Sequence, residues 1–161
     1  MVKRYIKITL VVVLLLLVIA GFYIYNYFNI KPSIVSSENI ATVPINYSNF
    51  ASAMNNNPIV LDIPSDSAIL LKFYNVNSGK VNIEKSYILS EEGVKEGNLN
   101  NAGIILSMNS KYLTVLNNKN FCGVVQEARN NQDLGIETSL SKTDLAWKYK
   151  KLYRYRECFG F

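Results

Sequence analysis

A pair of cysteines and a lone tryptophan set among cations are the residues here whose types and spacing could do chemistry. Cys122 and Cys158 are the only cysteines. They are too few for a structural zinc site, which takes four ligands, and they lack the Cys-x-x-Cys spacing of a redox centre. In an oxidising compartment they would pair as one disulfide, closing a loop of about 37 residues worth roughly 4 kcal/mol in the chain-entropy account. A reactive thiol is the other reading. Histidine is absent from the chain, which removes the commonest general base and metal ligand. Asp62 with Asp66 flanks Pro64, and Glu91 with Glu92 precedes Gly93; both pairs suit solvated turns. No glycine-rich phosphate loop is present. No catalytic residue, metal or cofactor is therefore assigned.

Trp147 is the single tryptophan. A helix is expected from about Lys142 to Glu157, with Ser141 as N-cap and Asp144 favouring its positive end. Setting Leu145 at 0° and stepping about 100° per residue places Tyr149, Leu152 and Tyr153 within roughly 80° of it, as the core face. On the same wheel Trp147 falls among Lys150, Lys151 and Arg154. Three readings suit a tryptophan in a basic face. It rests on lipid, where cations meet anionic headgroups and the indole prefers the interface. It anchors a protein partner, as Trp and Arg often do. Or it packs on a neighbouring loop while the cations stay solvated. Asn46-Tyr47-Ser48 is a glycosylation sequon, relevant only in a glycosylating compartment.

The net charge of +5 does not describe one surface. Lys3, Arg4 and Lys7 supply +3, residues 29–141 sum to −2, and residues 142–157 sum to +4. The body of the chain is slightly acidic, so a domain-wide nucleic-acid footprint is excluded. The three N-terminal cations precede an apolar run from Ile8 to Phe28, 21 residues or about 31 Å of helix, close to a hydrocarbon core of about 30 Å. The run therefore predicts a signal-anchor helix, with the basic stub in the cytoplasm and the rest of the chain extracytoplasmic on a single-pass cell-membrane protein. Tyr5 at one edge and Tyr23, Tyr25 and Tyr27 at the other suit the two interfaces. A cleaved signal peptide ending near Ala20 is the rival reading.

The expected organisation is a stub and anchor over 1–28, a tether over 29–43, and an α+β domain over 44–161. Tyr47, Phe50, Ala51 and Met54 have helical spacing, and Asn55-Asn56-Asn57-Pro58 stops that helix. Ile59–Ile63 and Ala68–Tyr74 read as strands. Ser78-Gly79 turns a hairpin into Val81–Leu89, and Gly103–Met108 is another strand. Tyr112–Leu116 is ambiguous. Phe121, Val124, Val125 and Ala128 mark a helix, Gly135–Leu140 a last strand, and Lys142–Glu157 the last helix. The fold expected is α+β, with a single N-terminal transmembrane helix followed by a roughly five-stranded, mainly antiparallel sheet covered by helices.

From Ala68 onward this order resembles the sterol carrier protein type of lipid-binding domain. Val81–Val94 is similar to that family's second and third strands. Ala102-Gly103-Ile104-Ile105-Leu106-Ser107-Met108 with Tyr112-Leu113 is similar to its apolar strand and short helix. Gly135-Ile136-Glu137-Thr138 leading into Leu145-Ala146-Trp147-Lys148-Tyr149-Lys150 is similar to its last strand and helix. Gly103 stands where the family often has aspartate, and Ser141-Lys142 replaces its usual glycine. An N-terminal anchor and a disulfide are also atypical of that family. The resemblance implies an apolar tunnel between sheet and helices; together with Trp147 in its basic setting and the anchor read above, the expected function is a non-enzymatic, membrane-anchored extracytoplasmic domain that binds a lipid or other hydrophobic ligand. The alternative is a structural or adaptor subunit of a cell-envelope or secretion complex that docks a protein partner through Trp147, Lys150, Lys151 and Arg154.

Overall fold

In a computed structural model of the protein, residues 2–29 and 42–159 are described, with side chains in the first stretch limited to 12–26. The chain divides into two units, Met1–Ile34 and Val35–Phe161. The first contains helix α1, Val2–Asn29. Among the described residues no helix is long and apolar enough to cross a membrane. This finding corrects the single transmembrane helix expected over Ile8–Phe28. It also corrects the single-pass cell-membrane placement built on that helix. The side chains of Lys3, Arg4 and Lys7, and most of the tether expected over 29–43, lie outside the described residues.

The second unit is organised on five strands: β1 Ile69–Asn77, β2 Lys80–Ser90, β3 Gly93–Glu96, β4 Ile104–Asn109 and β5 Leu134–Thr138. Their order across the sheet is β3-β2-β1-β4-β5. β1 pairs antiparallel with β2 and parallel with β4, so the sheet is mixed, with antiparallel pairs at both flanks. The β1–β2 hairpin turns at Ser78 and Gly79, whose φ values of 51° and 76° are the paired positive dihedrals of a tight primed turn. A register shift at Phe73/Tyr74 lets Phe73 face Lys85 while Tyr74 faces Ile83, which leaves Glu84 as the extra residue of a bulge.

Alternation divides each strand between two faces. Ile69, Leu71 and Phe73 of β1, Tyr87 and Leu89 of β2, and Ile104, Leu106 and Met108 of β4 point into one apolar core. Covering them are α2 (Phe50–Met54), α3 (Pro58–Leu61), a 3-10 turn at Ser110–Thr114, α4 (Phe121–Asn130), and the C-terminal segment. The centre is filled by rings: Phe50 lies 4.3 Å from Tyr87 and 5.3 Å from Phe73, centroid to centroid. Helix α4 buries Phe121, Val124, Val125 and Ala128, the face its 3.6-residue spacing predicts.

Two elements differ from their sequence expectation. Residues 59–63 are not a strand. Asn57 is buried and its Oδ1 accepts the Ile59 amide at 3.0 Å, while Pro58 occupies the first helical position, so the Asn-Pro pair starts α3. The last helix is not continuous from 142 to 157 either. It is α5 (Lys142–Lys148), a 3-10 segment over Lys150–Tyr155, and α6 (Arg156–Phe159). Tyr149, Leu152 and Cys158 are buried and Tyr155 is partly buried against the core. Those four recur every third residue, which matches three residues per turn better than 3.6. The chain therefore tightens after Tyr149, with the Leu152 amide donating to the Tyr149 carbonyl at 2.8 Å.

Candidate functional site

The residues singled out around Trp147 lie on this broken C-terminal segment. Its entry is fixed by Ser141, whose hydroxyl oxygen accepts the Asp144 amide at 3.1 Å while its O–H donates to the Asp144 carboxylate at 2.6 Å. Tyr149 reaches inward, donating its hydroxyl to the Ala68 carbonyl at 3.1 Å. The ring is buried, and that burial raises the phenol pKa above its ordinary value. Further on, the Tyr155 hydroxyl donates to Asp62 Oδ2 at 2.6 Å, and desolvation together with that carboxylate pushes its pKa up strongly. The segment ends where Cys158 is joined by a disulfide to Cys122 of α4. Gln126 and Arg129 of the same helix donate to the Glu157 carbonyl. Capped at its start, bonded to the core in its middle and covalently tied at its end, the segment presents its outer face from a rigid base.

That outer face is not the one a continuous helix would give. Trp147 is 73% exposed and does point outward, in the last turn of α5. Lys150 and Lys151 are exposed and make no ion pair among the described residues. Arg154, expected beside them, is also exposed; its Nε donates to the Lys151 carbonyl at 3.2 Å and lies 3.5 Å from Asp62 Oδ2, with its guanidinium 5.9 Å from the Tyr155 ring. Lys148 is likewise drawn to Asp66 at 3.7 Å. The Asp62/Asp66 pair thus receives two of the segment's cations. Tyr153, placed on the core face by the helical wheel, is 44% exposed, and Arg156 lies over its ring at 5.1 Å. The 3-10 geometry explains the exchange. At about 120° per residue, Lys150, Tyr153 and Arg156 align in one outward column and Leu152 with Tyr155 in the inward one.

Two polar networks lie elsewhere, and sequence reasoning missed both. Glu84, displaced by the bulge, accepts the Tyr47 hydroxyl at 2.6 Å and the Asn75 side-chain amide at 2.5 Å. The Tyr47 bond is the largest influence lowering its pKa. At the start of β5, Asp133 accepts Lys111 Nζ at 2.6 Å and the Tyr112 hydroxyl at 3.0 Å, and Asn131 donates to that hydroxyl at 2.8 Å. The Lys111 bond leads in holding the Asp133 carboxyl below its ordinary pKa. Each network joins segments far apart in sequence, so no local spacing announces it. Both fasten loops to the sheet. Asn46 is exposed, and its Oδ1 accepts the Ser48 amide, the Ser48 hydroxyl and the Asn49 amide at 2.6–3.2 Å, a local turn leading into α2. Among the described residues no group of three or more acidic or cysteine side chains could hold a metal ion.

No family model matches the chain, and no curated protein matches it. Among solved structures it is weakly similar to the apo form of sterol carrier protein 2 from Yarrowia lipolytica. The two are 16% identical with a TM-score of 0.32, and the match covers 65% of this chain and 85% of that one. A likeness this loose carries no argument about ligand or activity.

Proposed function

We propose that the protein is a non-enzymatic lipid-binding domain that meets lipid at its surface, through Trp147 with Lys150 and Lys151. The observation that carries this reading is the exposure of Trp147, 73%, on a segment held from beneath by Tyr149, Leu152, Tyr155 and the disulfide. An indole in water gains by moving to a bilayer interface, where its ring meets acyl chains and its N–H stays hydrated. Adjacent lysines add attraction to anionic headgroups of about 1 kcal/mol each near the surface. A tunnel ligand is the less supported reading, since Phe50, Phe73, Tyr87, Met54 and Met108, each at most 1% exposed, occupy the space between sheet and helices.

Because Trp147 is the only tryptophan, its emission, excited apart from the tyrosines, reports on this surface alone. Adding vesicles of phosphatidylcholine with phosphatidylserine to the full-length protein should shift the emission to the blue. Raising the salt concentration should weaken that shift. Emission unchanged by anionic vesicles, with Trp147 instead protected by an acidic protein partner, would overturn the reading.

A further inference from the structure

The surface around Trp147 offers cations without a pocket, and that bears on what it can distinguish; the inference rests on the lipid reading above. Lys150 and Lys151 stand on adjacent residues of a 3-10 segment, about 120° apart around its axis, so they diverge and do not converge on one point. The column of Lys150, Tyr153 and Arg156 extends six residues, about 12 Å at roughly 2 Å per residue. Arg156 is already set over the Tyr153 ring. The two cations best placed to complete a closed cluster, Lys148 and Arg154, are each paired with a carboxylate, Asp66 and Asp62, and Arg154 Nε is further engaged by the Lys151 carbonyl. Recognition of one headgroup needs donors that converge on it with fixed geometry, most effectively the bidentate fork of an arginine. Here the freely presented cations are lysines on long, solvated side chains.

We infer that this face recognises the charge density of an anionic lipid surface and not the identity of any headgroup. Each lysine then acts as a separate point charge, and binding rises with the mole fraction of negative lipid whatever its chemistry. The experiment is a titration of the full-length protein, read by Trp147 emission. Phosphatidylcholine vesicles carry phosphatidylserine, phosphatidylglycerol or a phosphoinositide, at mole fractions matched for surface charge. The three curves should coincide within about twofold. Lys150→Gln and Lys151→Gln should each weaken partition by a similar factor, about fivefold from roughly 1 kcal/mol per lysine.

A tenfold preference for one headgroup at matched charge overturns the inference while leaving lipid binding intact. So does loss confined to one of the two lysine variants. No emission change on any anionic vesicle overturns the inference and the lipid reading together. Near-UV circular dichroism of the variants confirms that the fold, to which neither lysine side chain contributes a described ion pair, is retained.

Discussion

The hydroxyl of Tyr149 occupies the space that a Cβ on Gly103 would need. A Cβ there would overlap that oxygen and come within 3.2 Å of the ring's Cζ. The same hydroxyl donates to the Ala68 carbonyl at 3.1 Å. Gly103 immediately precedes β4 and Tyr149 immediately follows α5, so the missing side chain at the first admits the anchoring ring of the second.

Gly103→Ala should accordingly destabilise the domain by about 1–3 kcal/mol through overpacking. Tyr149→Phe should cost about 1 kcal/mol for the lost hydrogen bond. In the double variant the phenyl ring no longer carries the clashing oxygen, so its cost should fall below the sum of the two. Urea midpoints of the four proteins measure the coupling, and strict additivity would show that the two residues do not interact.

Reduction of the Cys122–Cys158 bond should lower stability by up to roughly 4 kcal/mol, the chain-entropy value for a separation of 36 residues. Thermal melts with and without reductant, alongside Cys122→Ala/Cys158→Ala, read the effect. Trp147 emission in the folded protein should stay unchanged, because α5 is held independently by its Ser141 cap and by Tyr149.

The acid limb of stability should carry the signature of Asp133. Lys111 and Tyr112 hold its folded pKa below the ordinary value. Its contribution is therefore fully present above the unfolded pKa of about 3.9 and is lost as pH falls through the depressed folded value. Asp133→Asn should lower stability at neutral pH and flatten the dependence below about pH 4. Urea midpoints between pH 2 and 7 test this, and an unchanged acid slope in the variant would exclude the assignment.

Tyr155→Phe should destabilise by about 1–2 kcal/mol, since it removes a hydrogen bond to a largely buried carboxylate, Asp62 being 19% exposed. Trp147→Ala, at a side chain 73% exposed, should leave stability within about 0.5 kcal/mol while weakening co-sedimentation with anionic vesicles. The pair separates residues that hold the segment down from the residue it presents. A stability loss in Trp147→Ala comparable to that in Tyr155→Phe would erase the distinction.

Much of the architecture was legible wherever a single period governed a stretch. The face of α4, the Ser78-Gly79 turn and the apolar run of β1 all follow from local spacing. The strand expected at Ile59–Ile63 failed because five apolar residues have no period of their own, and the Asn57-Pro58 cap decided their conformation. The last helix failed for a different reason. Residues 145–153 fit 3.6 per turn and residues 149–158 fit three per turn, and nothing in the spacing alone ranks one above the other. The anchor was read from apolar length, and that reading does not survive in the described part of α1.

By itself, the sequence determined an α+β domain, the cysteine pair available for bonding, the absence of histidine chemistry, and a tryptophan set in a basic C-terminal stretch. Those are matters of composition and short-range periodicity, which tertiary contacts do not alter. Only the tertiary structure decided which cations remain free around that tryptophan. Asp62 and Asp66 lie more than eighty residues before the lysine and arginine they bind, and Gly103 more than forty before the tyrosine it admits. Ion pairing and close steric fit depend on distances that the chain acquires by folding. Asp62 thus neutralises the charge of Arg154 through a contact that no local pattern encodes.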